Sequence, residues 1–208
     1  MTIDDNRIDA LREISSIGSG NAVTSLSEIL SKKIEISVVG ADMIEISKIS
    51  QLFQPQDDPV ISVLIKVFGD INGHILFTVD LESAKEFCRF MFNEQNMSDY
   101  AQEKVDGLIK ISDMEFSMIS EIANILASTY LASICKMTGF SIRPKEPLIT
   151  VDMAGCILSI LAGEVGRFNE RALFLKAEFE QKDLDIKGTF FLVPDEASYE
   201  KLLGALGV

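Results

Sequence analysis

The chain has 208 residues, 47% of them apolar, and 19 basic against 32 acidic side chains give it a formal charge of −13. Such a length and apolar share describe a folded globular protein with one sizeable core or two small fused halves, and exclude a disordered chain. The acidic field argues against nucleic acid and anionic lipid as partners. It leaves room for a protein partner carrying a local phosphoryl group, because an interface is decided by short-range complementarity more than by net charge.

The first residues, MTIDDNRID, are polar and acidic and lack the basic start and apolar run of a signal peptide, and no stretch offers eighteen uninterrupted apolar residues. A cytoplasmic protein without membrane insertion is expected. Cys88, Cys135 and Cys156 are odd in number, far apart and set among apolar neighbours; buried thiols are expected rather than a disulfide framework or a metal site. The single His74 lies in a strand-like run with no second ligand at metal spacing, which reads as a strand-surface histidine.

In chain order, a long helical pattern runs from about Asp5 to Ser31, with Ile8, Leu11, Ile14, Val23, Leu26 and Leu30 near a 3.6-residue period. Gly18 and Gly20 are positions where it could bend. Strand-like runs follow at Ile34 to Val39, Val60 to Val67 and Gly73 to Val79, the last two joined by a hairpin turn at Phe68 to Asn72. Gln51 to Asp58 reads as an exposed loop, Leu81 to Phe92 as a short helix, and Asn93 to Lys104 as a polar connection. The second half repeats this order, with a helix from about Ser112 to Thr138, strands near Leu148 to Met153, Arg171 to Phe179 and Leu184 to Val193, and a closing helix from about Glu196.

Individual residues repeat as well. Glu13-Ile14 matches Glu121-Ile122, and Gly73, Asp80 and Ser83 match Gly188, Asp195 and Ser198, with about seven residues inserted between the matched stretches in the second copy. An internal duplication with pseudo-two-fold symmetry is expected, the repeats covering about 5–93 and 112–206 of one domain spanning 1–208. Short turns between strands favour antiparallel pairing, so the expected fold class is α+β, with a mainly antiparallel sheet, two long helices and two shorter ones.

On the second long helix Ser117, Glu121, Asn124 and Ser128 are spaced by four, three and four residues, which places them on one polar face. Met118, Ile122, Ile125, Leu126 and Thr129 form another face suited to packing on a sheet. A rigid helix can thus present a carboxylate and a carboxamide together. In phosphoryl transfer, positioning and electrostatics do most of the catalytic work, and a carboxamide can orient an attacking water by donating and accepting hydrogen bonds. Glu121, repelled by a phosphoryl group, suits pairing with a lysine of a partner better than acting as a base. Taken alone, this spacing is ordinary on any surface helix.

A longer pattern adds weight. Ser117, three residues, Glu121, two residues, Asn124, twenty-two residues and Pro147 form a register that resembles the signature of the CheC family of CheY-phosphate phosphatases, the CheC, CheX and FliY type. The run LREISSIGSGNAVTSLSEILSKKIEISV in the first half is similar to the same family, so the resemblance covers nearly the whole chain. The resemblance implies a chemotaxis enzyme that hydrolyses the aspartyl phosphate of a CheY-type response regulator. Asn124 would orient water, Glu121 would bridge to a regulator lysine, and Ser117 and Pro147 would support the motif. It implies no cofactor of the chain's own, the Mg2+ belonging to the phosphorylated partner, and for some members a second partner, the receptor deamidase CheD. Pro147, with fixed φ and no N–H, suits the start of an edge strand or a turn.

The first copy departs from the pattern. Asp9 and Glu13 are in register, but Ser16 stands in place of the Asn and Val39 in place of the Pro. Serine is shorter and lacks the paired donor and acceptor of a carboxamide, so this copy reads as a degenerate site, with one active site in the chain. Gly18-Ser19-Gly20-Asn21 has no preceding strand and no following Lys-Ser/Thr pair, so it is not a phosphate loop; the small residues there suit close approach of another helix. Asp4, Asp5 and Asp9 suit the start of the first helix and its dipole. The competing reading is a non-catalytic binding module, a CheD-binding regulator or an adaptor resembling the flagellar switch protein FliM. The intact second motif favours the enzyme, as does the lack of room for a switch protein's further domains.

Overall fold

The computed structural model describes residues 5–52, 55–91, 104–105, 108–109, 111–166, 170–182 and 186–208. Helix α1 (Asp5–Leu30) leads into strand β1 (Glu35–Glu45) and a 3-10 turn (Ile46–Gln51). The hairpin β2 (Pro59–Gly69) and β3 (Gly73–Asp80) precedes α2 (Leu81–Met91), and a two-stranded ribbon, β4 (Lys104–Val105) and β5 (Leu108–Ile109), follows. The second half comprises α3 (Asp113–Thr138), β6 (Ile142–Pro144), β7 (Leu148–Met153), α4 (Ala154–Val165), the hairpin β8 (Arg171–Gln181) and β9 (Ile186–Pro194), and α5 (Glu196–Leu206). Most of the polar connection expected over Asn93 to Lys104 lies outside the described residues, as does Asp4.

One antiparallel sheet of seven strands dominates, ordered β1-β8-β9-β3-β2, with β6 and β7 both pairing with the free side of β2. The fold is α+β, as the strand spacing implies. Alternation at period two sends Ile61, Val63, Ile65, Ile75, Phe77, Leu175 and Leu192 to one face, where α1, α2, α3 and α5 cover them. Leu76, Phe174, Phe191 and Val193 point to the other face, under α4 and the 3-10 turn. Each such fully buried side chain contributes about 1.5–3 kcal/mol relative to exposure, so the sheet is held from both sides.

The strand order reads alike from either edge. β1 of the first half lies on the hairpin of the second, β7 of the second half lies on the hairpin of the first, and β3 and β9 meet at the centre with Gly73 opposite Pro194 and Val79 opposite Gly188. The matched residues Asp80, Ser83, Asp195 and Ser198 have a shared task there. Asp80 accepts from the N–H and hydroxyl of Ser83, both at 2.7 Å, and Asp195 accepts from the N–H of Ser198 at 2.8 Å, so each aspartate starts its helix. Each buried serine hydroxyl then accepts from the backbone of the opposite half, Ser83 from Lys187 at 3.0 Å and Ser198 from Asn72 at 2.7 Å.

Four expectations need correction. There are five α-helices among the described residues, not four: α4 is apolar on nearly every side and follows β7 with no side-chain cap at Met153, so no helical stripe marks it in the sequence. β1 runs past Val39 and Gly40 to Glu45 because pairing with β8 continues to Arg171. Cys156 is exposed on α4 rather than buried, while Cys135 is half-buried and Cys88 is buried, its thiol pushed up to about 12, first by desolvation and then by the Glu115 carboxylate. His74 lies in the central strand β3, not at an open surface; its imidazole is 13% exposed and 3.8 Å from Glu164 of α4, and burial, with Lys66, holds its pKa down.

Candidate active site

Helix α3 is fixed at both ends. Ser112 forms a capping box: its hydroxyl accepts from the Glu115 N–H at 3.3 Å, and the Glu115 carboxylate accepts from the Ser112 N–H at 2.7 Å. Glu115 is 2% exposed and also receives Lys85 of α2 at 2.6 Å. Burial pushes this carboxyl up, but the hydrogen bonds from Lys85 and Ser112 outweigh it and leave its pKa below the ordinary value. Gly139 closes the other end in the left-handed region, φ 74°, its N–H donating to the Cys135 carbonyl.

Between those ends the inner face, Ile119, Ile122, Ala123, Leu126, Ala127, Tyr130 and Ile134, is buried in the main core. Met118, Ile125 and Thr129 of the expected packing face are only half-buried, at the margin of that core. α3 is long and apolar enough to cross a membrane by composition, but half of its most apolar window is buried within the fold, against the sheet and α1.

The outer face carries the sequence-derived residues. Ser117, Glu121 and Ser128 are exposed and Asn124 is half-buried. Glu121 and Asn124 are three residues apart, a rise of about 4.5 Å, and neither is engaged in a hydrogen bond or ion pair with another described residue. Both functional groups are therefore free to meet a partner. The Ser117 hydroxyl donates to the Asp113 carbonyl at 2.9 Å, so it braces the first turn while the residue stays exposed. Pro147 is half-buried and immediately precedes β7, an outer strand of the sheet, where its missing N–H leaves no gap in a ladder.

The first copy lies on α1, which packs beside α3. The Tyr130 hydroxyl donates to Ser15 Oγ at 3.2 Å, Asn21 donates to Ser133 Oγ at 2.9 Å, and the Tyr130 ring covers Gly18, where an added Cβ would come within 2.8 Å of it. The small residues of that stretch therefore permit helix approach, and α1 is a single element through Gly18 and Gly20. Asp9 is exposed and paired with Arg12 at 3.1 Å, away from any capping role, while Glu13 and Ser16 are exposed. Among the described residues no three His, Cys, Asp or Glu side chains converge in a way that could hold a metal ion.

Two features around this site are absent from the sequence reading. The Lys85 to Glu115 pair needs α2 and the start of α3 brought together, which no local pattern announces. The reciprocal serine contacts are signalled only by the repeated Asp and Ser, whose purpose appears with the fold.

Known proteins resemble this chain in sequence and in fold. The profile of the CheC-like family matches residues 8–38, the stretch holding Asp9, Glu13 and Ser16. The CheY-P phosphatase CheC of Bacillus subtilis (strain 168) is 28% identical over 209 residues, covering 99% of this chain and 96% of that protein. Among solved structures, Thermotoga maritima FliY superposes with a TM-score of 0.73 at 16% identity, covering 100% of this chain and 98% of that one. CheX in the CheX–CheY–BeF3–Mg2+ complex of Borrelia burgdorferi gives a TM-score of 0.53 at 18% identity, over 86% of this chain and 96% of that one. By the site motif, the shared fold and this likeness along the whole sequence, the chain is similar to the CheC-like family.

Proposed function

We propose that the protein is a phosphatase for the aspartyl phosphate of a CheY-type response regulator, with the outer face of α3 as its single active face. The observation that carries this reading is the pairing of an unengaged carboxylate and an unengaged carboxamide, Glu121 and Asn124, on a helix whose opposite face is locked in the core. The likeness to a CheY-P phosphatase over nearly the whole chain supports it.

In this reaction a water oxygen bonds to phosphorus as the bond from phosphorus to the aspartyl oxygen breaks, giving inorganic phosphate and a free carboxylate. The Asn124 carboxamide holds the water, accepting one of its protons in a hydrogen bond through Oδ1, so that its lone pair faces phosphorus. Glu121 stays away from the phosphoryl charge and receives a lysine of the regulator, which sets the docking register. The magnesium ion is carried by the regulator, so the mechanism needs no metal ligand from this chain. CheD remains a second proposed partner, whose binding is compatible with catalysis.

The test is the decay rate of a phosphorylated CheY-type regulator from the same genome, with wild type and with Asn124→Ala. Acceleration by the wild type, lost in the variant, is expected. A wild type that leaves the decay unchanged with every cognate regulator would move the assignment to a binding module.

A further inference from the structure

Ser128 shares the outer face of α3 with Glu121 and Asn124 but has no part in the reaction described above. It is exposed and lies four residues after Asn124, one helical turn away, at a rise of about 6 Å. Serine and threonine hydroxyls within helices commonly donate back to the carbonyl four residues earlier. Ser117, Ser133 and Thr138 of this same helix do so, to Asp113, Thr129 and Ile134 at 2.9, 2.9 and 2.7 Å. Ser128 makes no such bond, and no other described residue takes its hydroxyl. Its donor faces solvent next to the carboxamide.

The other copy supplies an independent observation. With Glu13 aligned on Glu121, Ser16 falls at Asn124 and Gly20 falls at Ser128. The α1 face keeps its carboxylates and lacks both the carboxamide and this hydroxyl. Packing does not require the glycine, because a Cβ built on Gly20 meets nothing within 4 Å, whereas one built on Gly18 would strike the Tyr130 ring at 2.8 Å. Gly18 has a structural reason to be small and Gly20 has none. The hydroxyl is thus present on the face with the complete constellation and absent from the degenerate one, with no difference in space to account for it.

We propose that Ser128 is a further substrate-contact residue of the α3 site, its hydroxyl donating to an anionic acceptor at the phosphoryl end of the docked regulator. This rests on the phosphatase reading above. A hydrogen bond from a neutral hydroxyl to a charged oxygen is stronger than one between neutral groups. Placed one turn beyond Asn124, it adds a third fixed contact to the water-holding carboxamide and the docking carboxylate. Three points on one rigid helix define orientation as well as position.

The experiment uses the full chain and the phosphorylated regulator. Ser128→Ala should lower kcat/KM about tenfold, the loss of one hydrogen bond to a charged group, with an unchanged or slightly raised melting temperature because alanine is the better helix former. Ser128→Thr, which keeps the hydroxyl, should recover most of the activity. In an Asn124→Ala background, where only the α1 face can act, Ser16→Asn should restore part of the activity and Ser16→Asn with Gly20→Ser about tenfold more. An active wild type with Ser128→Ala within about twofold of it, and no gain from Gly20→Ser, overturns the contact alone. A wild type with no activity overturns the phosphatase reading, and the contact with it.

Discussion

Helices α1 and α3 are each 26 residues long, pack side by side on one face of the sheet, and carry a carboxylate at the same register, Glu13 and Glu121. They differ in what surrounds that carboxylate. α3 adds Asn124 and Ser128, and its first turn is tied to α2 by the buried Glu115 and Lys85. α1 has Ser16 and Gly20 at those places, and Arg7 where α3 has Glu115. A helix can therefore keep its packing face, which the core enforces, while its outer face varies one side chain at a time. What the core demands and what the chemistry demands are separable on a single element.

The largest effect should come from Asn124→Ala, which removes the group proposed to hold the water: stimulated decay should fall at least about 100-fold, with no change in circular dichroism. If α1 retained function, a substantial residue of activity would remain. Next is Glu121→Ala, expected to raise the concentration of regulator needed for half-maximal rate by about tenfold with a smaller change in turnover, as suits a charge-assisted docking contact. A loss confined to turnover would instead give Glu121 a chemical role.

The tie at the start of α3 has a pH signature. The Glu115 carboxyl is held below its ordinary value, so its contribution to stability is fully present above the unfolded carboxylate range and is lost as pH falls through the folded value. Glu115→Gln should lower stability at neutral pH by about 2–3 kcal/mol, less than for a fully enclosed pair because Lys85 can reach water. The deficit should shrink on acidification, read as urea midpoints at several pH values; a deficit independent of pH would exclude the ion pair as its cause. The smallest effect belongs to Ser16→Ala, which should leave the rate within about twofold of wild type. A large loss there would make α1 an active face and dissolve the contrast between the helices.

Much of this was legible from the sequence, for local reasons. The helical pattern from about Ser112 to Thr138 marks α3, the turn at Phe68 to Asn72 separates β2 from β3, and the spacing of Glu121 and Asn124 places both on the outer face. The remainder depends on distant partners. β1 extends past Gly40 because β8 is there to pair with it, and α4 carries apolar residues on nearly all sides, leaving no stripe to betray a helix. The half-burial of His74 follows from α4 lying across that part of the sheet. Gly18 and Gly20 look alike in the sequence, and only the Tyr130 ring separates the glycine that must be small from the one that need not be.

Because β1 completes the second hairpin and β7 the first, the polypeptide is woven rather than strung. A break in the backbone between Met91 and Lys104 would sever none of the main-sheet pairings among the described residues, and the two pieces should stay associated. Either piece made alone would expose a bare edge along β2 or β8, and its Ser83 or Ser198 would have no opposite backbone to bond. The weave sets a rule for how such a molecule can age: mutation is free to change the outer face of either helix, yet neither half can be discarded, because each completes the sheet of the other.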